Sequence, residues 1–459
     1  MPRLVVFFDE SLTPASRASR LLRVGSNYVH RDETPVKNAN PNHRSFLFLQ
    51  SMPNWFFARL GRALANCGHA VHRINFNAGD KLFWSLGGAM DFRGPPDEWP
   101  DFLENVMLSR GVTDIVLFGD CRPLHRVAVS CAKAMGVTVH VCEEGYIRPH
   151  WVTFQRDGVN GNSTLPRDPA WYRREAAALA PRDAVVPVSS SFARRAWEDV
   201  LYNAAALTFG LLFPHYRTHR PRHRLIEYAG WSWKVMRRPL AYRRARSQLG
   251  HHGGEEGYFL FPLQLNSDSQ IREHSEFRSM APAIEHVVAS FANHADQKTK
   301  LVVKEHPLDD GLINWRRHLK SVASRYGVSD RVIYLEVGDI GSLIAGSKGV
   351  VTVNSTVGML ALEANRPVLA MGKAIYDMDG LTHGSGIDTF WTAPAQPDHS
   401  LFAAFLEVTI ARCLLAGDLF SNDGLDCLVS NAVDRLERTE RHAAAPAPAA
   451  AVWWNKCGA

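Results

Sequence analysis

Short apolar runs that end in loops and lead into helical periods recur in the first part of the chain, at residues 45–50, 71–76, 114–118 and 137–142. Such strands alternating with helices predict a parallel sheet. Between the first two runs, Phe56, Phe57, Leu60, Leu64 and Ala65 fall at helical intervals within residues 54–67, and Gly68 supplies a stop. The opening MPRLVVFFDESLTP reads as a further first strand, because its apolar run meets Asp9 and Glu10, as a signal peptide's would not.

A second rhythm begins after the HHGGEEG break. Strands are expected at residues 258–262, 300–304, 332–335, 349–353 and 367–371, with helices at 276–291, 312–326, 340–345 and 356–364. A last amphipathic helix, about 398–415, precedes an AAAPAPAAA tail whose composition predicts disorder. The expected fold class is α/β, with two Rossmann-like lobes whose parallel sheets face a cleft. Residues 1–192 form the first lobe, 193–255 a basic helical linker, 256–395 the second lobe, 396–440 C-terminal helices and 441–459 the low-complexity tail.

Composition narrows the class. With 459 residues, 46% hydrophobic and 21% charged, the chain is globular, which excludes a chain disordered as a whole, a collagen-like repeat and a simple coiled coil. The net charge of +6 favours anionic partners weakly, so its location matters more than its size. Residues 193–246 hold twelve Lys and Arg against three acidic residues, a local excess of nine, interleaved with the apolar run 207–213, Trp231 and Trp233. Basic residues mixed with Trp and Leu suit attachment to an anionic membrane face, and no recognition fold accompanies them that would suggest nucleic acid. No uninterrupted apolar run reaches the 18 residues of a spanning helix. Seven scattered cysteines without a CxxC suggest neither a zinc site nor a disulfide framework, and a reducing cytoplasm is the simplest setting.

Candidate chemistry sits at predicted strand ends. Asn354, Ser355 and Thr356 follow a buried strand and open a helix, where hydroxyls and N–H groups can meet a phosphate. Glu363, further along that helix, could accept a ribose hydroxyl. Lys304 and His306 end another strand, stopped by Pro307, and could absorb phosphate charge. Gln264, Asp268 and Gln270 follow the first strand of the second lobe; a carboxylate among amides and hydroxyls stays ionised and suits a nucleophile, although an Asx turn would explain Asp268 equally well. Glu143 and Glu144 end a first-lobe strand, with Arg148 four residues on. Neighbours on a strand point opposite ways, so one can do acid–base work while the other supports a loop or Arg148. Asp120 and Arg122 end a nearby strand and could bind substrate or simply each other. There is no GxxxxGK[ST], strand-linked GxGxxG, GxSxG or HExxH, which argues against P-loop enzymes, dehydrogenases, α/β-hydrolases and zincins.

Read in order, LFLQSMPNWFF, INFNAGD, FGDCR, EEGYIRPHWVTF, GVNGNS, PLQLNSDSQI, KEHP, VTVNSTVGMLALEANRPV and AIYDMDGLTHGSGIDTFW resemble the KpsS/LipB-type capsule polysaccharide synthesis family, most closely its KpsS branch. The resemblance spans about residues 46–391. It implies the GT-B glycosyltransferase architecture and a retaining transfer of β-Kdo from CMP-β-Kdo to a phosphatidylglycerol-type lipid, starting the poly-Kdo linker of a capsule. Carried onto this chain, it implies CMP contacts at His306-Pro307, at Asn354-Ser355-Thr356 and at Glu363. The family's Gln-x-x-x-Asp pattern falls on Gln264 to Asp268, and the resemblance implies that Asp268 is the nucleophile. The acid/base falls on Glu143-Glu144, where related enzymes read Glu-Asp-Gly, so either carboxylate can hold the role. No metal cofactor is expected, because CMP is already a good leaving group. The expected setting is the cytoplasmic face of the inner membrane, with other capsule synthesis or export proteins as candidate partners. Two alternatives remain open: an idle GT-B-like scaffold that holds the glycolipid for export, and a transferase that extends an existing Kdo-lipid.

Overall fold

The computed structural model describes residues 43–180, 187–218, 224–250 and 257–441. The strand expected in the opening stretch and the tail lie outside them. Two sheets organise the chain. The first runs β12-β6-β5-β4-β1-β2-β3, from β1 (Ser45–Phe48), β2 (Ala70–Asn75), β3 (Ala89–Asp91), β4 (Asp114–Phe118), β5 (Thr138–Glu144), β6 (Trp151–Arg156) and β12 (Leu414–Ala416). The second runs β11-β10-β7-β8-β9, from β7 (Tyr258–Pro262), β8 (Lys300–Lys304), β9 (Val332–Leu335), β10 (Ser347–Thr352) and β11 (Val368–Ala370). All pairings in the second sheet are parallel. In the first, β1 to β5 pair in parallel, while β6 returns antiparallel to β5 and β12 antiparallel to β6. These are the two Rossmann-like lobes of the GT-B architecture.

Each sheet is covered on both faces, as buried parallel strands require. Phe46, Phe48 and Val116 pack beneath the helices Phe56–Asn66 and Asn422–Arg441, while Leu47, Ile115 and Val139 turn to Trp99, Leu103 and Ala128 on the other face. The second sheet does the same with Leu260 and Val302 on one side and Phe259, Leu301 and Val351 on the other. The helix expected over 398–415 ends at Cys413, because Leu414 and Leu415 join β6 as an edge strand. The last helix then returns to the first lobe, where the main-chain oxygen of Leu436 accepts from the Arg44 guanidinium, itself bound to Asp114.

In both sheets the chain reverses its winding between two neighbouring parallel strands, at β1/β4 and at β7/β10. The carboxyl ends beside such a reversal are where open α/β sheets bind ligands, since two loops part there. Amide side chains tie both crevices. Arg122 Nη1, after β4, donates to Gln50 Oε1, after β1, at 3.1 Å. Gln264, after β7, exchanges bonds with Asn354, after β10: its Nε2 donates to Asn354 Oδ1 at 2.9 Å and its Oε1 accepts from the Asn354 N–H at 3.1 Å.

Candidate active site

Acidic side chains from the two lobes converge between these crevices. Glu143 and Glu144 end β5, and their environments differ sharply. Glu144 Oε1 accepts from Arg195 at 2.6 Å and Oε2 from Arg148 at 3.2 Å. Burial opposes its charge, but Arg148 and Arg195 outweigh that and hold its carboxyl below the ordinary value. The Glu143 side chain makes no hydrogen bond or ion pair with any described residue. Burial pushes its carboxyl up to about 8; Arg122 opposes the rise, and the charges of Glu144, Asp268 and Asp120 add to it. Gly119, at a φ of 69°, leaves room for this side chain, since a Cβ there would sit 3.2 Å from Glu143 Oε2.

Asp268 opens the helix Ser269–His274, its Oδ1 accepting from the Gln270 N–H at 2.9 Å. The Asx cap and the cleft-facing carboxylate are therefore one residue. Burial raises its pKa despite the Gln270 bond and Arg148, with Glu144 contributing repulsion. Glu143 feels the charge of Asp268, and Asp268 that of Glu144 and Arg148. The carboxylates thus share one electrostatic space.

His306 lies in the same field. Burial, then Lys234, Lys304 and Arg148, push its imidazole down to about 4 against the pull of Glu144, so it is neutral at pH 7. Its Nδ1 accepts from the Leu308 N–H at 3.0 Å, which leaves the ring proton on Nε2. A neutral ring can still donate one hydrogen bond to a phosphate oxygen. Pro307 starts the turn in which Asp309 N–H reaches the His306 carbonyl. Lys234, from the helix Arg224–Gly250, braces that turn through Glu305 at 2.5 Å and the Asp309 carbonyl at 3.0 Å.

Two expected phosphate ligands are used within the fold. Lys304 is buried, donating to the Glu305 carbonyl at 2.8 Å, and burial lowers its ammonium to about 8. The side-chain amide of Asn354 is divided between Gln264 and the Gln270 carbonyl, the latter at 2.8 Å. Ser355 Oγ accepts from the Val357 N–H at 3.2 Å, while Thr356, at the N-cap position of the helix Val357–Glu363, makes no capping bond. Gln270, Asn354 and Thr356 line a pocket with Tyr146, Asn160 and Lys373. Glu363 is half-buried, and burial alone pushes it up to about 7. Asp120 and Arg122 do not pair: Asp120 Oδ2 accepts from the Val159 N–H and Asn162, while Arg122 reaches Gln50 and the Ser51 carbonyl.

Arg195, Lys234, Tyr146, Asn160 and Lys373 were not singled out by sequence. Arg195 and Lys234 belong to the basic linker, and their charges compensate cleft carboxylates, as Arg194 and Arg244 compensate Glu198 and Glu336. Arg220 and Arg222, also counted in that excess, lie outside the described residues. The linker exposes large apolar side chains: Leu211 is 95% exposed and Trp197 66%, with Leu207, Trp233 and Met236 also exposed, and Phe192 just before it. Phe213 is instead buried. No helix among the described residues is long and apolar enough to cross a membrane.

Because the Gln264–Asn354 exchange is buried, Gln264→Ala strands the Asn354 amide and is expected to destabilise the protein by about 1–3 kcal/mol, read by urea unfolding. An unchanged midpoint would return Gln264 to a ligand-binding role.

The sequence profile described as "Capsule polysaccharide biosynthesis protein" matches residues 113–420. The capsule polysaccharide export protein KpsS of Escherichia coli is 34% identical over 364 residues, covering 79% of this chain and 93% of that protein. The capsule polysaccharide modification protein LipB of Neisseria meningitidis serogroup B is 32% identical over 396 residues, covering 84% and 94%. Among solved structures, the beta Kdo 2,7 transferase of Thermosulfurimonas dismutans KpsC aligns over 86% of this chain and all of its own, with 12% identity and a TM-score of 0.42.

Proposed function

Since the chain belongs to the KpsS/LipB family of capsule polysaccharide biosynthesis proteins, we propose that it is a glycosyltransferase that moves β-Kdo from CMP-β-Kdo to a phosphatidylglycerol-type lipid with retention, starting the capsule linker. The observation that carries this reading is the pairing of unlike carboxyls across the cleft: Asp268, anchored by its cap, and Glu143, unpaired and raised to about 8.

The chemistry follows from those two states. Asp268 attacks the anomeric carbon of Kdo as CMP departs, forming a glycosyl–enzyme ester. The departing phosphate needs little acid assistance, and the neutral His306 donates a hydrogen bond to it. Glu143 in its ionised form then takes the proton of the acceptor hydroxyl, whose oxygen displaces Asp268 from the opposite face. Two inversions give net retention. Glu144 stays ionised between Arg148 and Arg195, and so supports the site without moving a proton.

The acceptor's lipid nature agrees with the linker. Its exposed Trp197, Leu211 and Trp233 can rest at headgroup level, and the exposed Arg217, Arg237 and Arg243 favour an anionic leaflet. The helix Phe192–Thr208 carries both the exposed Trp197 and Arg195, which pairs with Glu144, so an exposed apolar side chain and a cleft carboxylate share one helix, in support of a lipid acceptor.

Purified protein given CMP-Kdo and phosphatidylglycerol vesicles is expected to release CMP and form a Kdo-lipid. No CMP release with either bare lipid or Kdo-lipid would favour an idle scaffold, and turnover with Kdo-lipid alone would make the enzyme an extender of the linker.

A further inference from the structure

Beside the carboxylates of the cleft lies a second cluster that the transfer chemistry does not use. Past Gly119, at the end of β4, Asp120 and Cys121 of the first lobe meet His274, the last residue of the Ser269–His274 helix of the second. One ligating atom from each lies within 4.8 Å of the other two. Cys121 Sγ is 3.2 Å from His274 Nε2 and 3.3 Å from Asp120 Oδ1. The geometry points to a binding site for a single thiophilic divalent cation of the zinc class, held by Asp120, Cys121 and His274 across the seam between the lobes.

Two of the three ligands are oriented by other groups. The Val159 N–H and the Asn162 amide hold Asp120 Oδ2 at 3.2 and 3.0 Å, which turns Oδ1 toward the sulfur. The His274 ring lies against Gly161, where a Cβ would come within 2.4 Å of Nδ1, so a side chain at that position would expel the ring. The His274 carbonyl accepts from the Lys373 N–H at 2.9 Å, fixing the backbone behind it. Carboxylate and imidazole are both nearly closed to solvent, at 4% exposure each. Outer contacts that hold ligating groups in place are what built metal sites share.

The donor set selects the ion. Thiolate, imidazole and one carboxylate oxygen suit Zn²⁺ or Co²⁺, whereas Mg²⁺ and Ca²⁺ want oxygen alone. Bond lengths of about 2.3 Å to sulfur and 2.0 Å to nitrogen at a tetrahedral angle require S···N near 3.5 Å, a few tenths beyond the distance here. Three protein ligands leave the fourth position to water. Two acceptors face one thiol proton in this cluster; binding replaces that proton, Cys–SH + M²⁺ giving Cys–S–M⁺ and H⁺. The ion bridges lobes already joined by Arg126 and Glu273 at 2.7 Å, so its role is to set their spacing, apart from the departing phosphate.

The full-length protein, stripped with a chelator and kept reduced with a phosphine, is titrated with Co²⁺ alone. The expected result is a near-ultraviolet thiolate-to-cobalt band saturating at about one equivalent, release of about one proton, and a higher Tm that Zn²⁺ raises further. Cys121→Ser should abolish the band with its circular dichroism unchanged, and His274→Gln should weaken binding tenfold or more. Cys67→Ser, a substitution at an exposed thiol remote from the cluster, should keep it. No band at stoichiometric Co²⁺, or a band that survives Cys121→Ser, overturns the site and leaves a thiol–imidazole hydrogen bond in its place. Neither outcome decides whether the protein transfers sugar, which is read by CMP release.

Discussion

Asp268→Asn is expected to lower CMP release and Kdo-lipid formation by about 10⁴-fold or more while leaving the protein folded, because an amide cannot form the glycosyl ester. The choice of Asn matters. Asp268 also caps the helix Ser269–His274 through the Gln270 N–H, and Asn caps as well as Asp, whereas Ala would cost about 1 kcal/mol. A loss of turnover in the Asn protein at unchanged Tm therefore belongs to the chemistry. Asp268→Ala should lose turnover equally and also unfold earlier. If the Asn protein kept most of its activity, Asp268 would be a cap and nothing more, and the double displacement would have to be abandoned.

Glu143→Gln should reduce turnover by about 10²–10⁴-fold and remove a limb of the pH profile. In the natural protein the base is the ionised form, and a carboxyl raised to about 8 gains that form as pH climbs. Turnover should therefore rise through about pH 8 and level off above it, a limb that the Gln variant lacks. Stability should move the other way. The unfolded chain releases this proton near the ordinary glutamate value of 4.5, while the folded protein keeps it until about 8. Between those values the unfolded state holds fewer protons, so the contribution of Glu143 to stability falls as pH rises. Glu143→Gln, which cannot ionise, should melt higher than the natural protein, with the gap widening toward alkaline pH. Glu144→Gln should show the opposite stability change, because it leaves Arg148 and Arg195 without their shared carboxylate. A Glu143→Gln protein that retained the alkaline limb would move the base to another residue.

The five strands of the second sheet are legible in the sequence to within two residues, since parallel strands buried on both faces must be short, nearly continuous apolar runs. β3, β6 and β12 are not. β3 and β12 are three residues each, too short to show a period, and Leu414–Ala416 continues a helical pattern until β6 offers it an open edge. The types of the cleft residues are equally legible, because carboxylates, His and amides after strand ends announce a crevice whatever their partners. Their partners are another matter. An amide that could hold a ligand could equally hold a second amide, and Gln264 and Asn354 do so because β7 and β10 lie side by side.

From its one-dimensional pattern alone, then, this chain determined two parallel α/β lobes and the set of polar groups delivered to the gap between them, since burial period and strand-end chemistry are local properties. Which carboxyl keeps its proton was decided only in three dimensions. Glu143 and Glu144 are the same side chain one residue apart, and the pleat turns them into different fields. Arg195 docks onto Glu144 from a helix whose sequence suggests only a basic surface, and Glu143 is left among buried groups and like charges. Electrostatic energy depends on distance and solvation, and neither exists until the chain has folded.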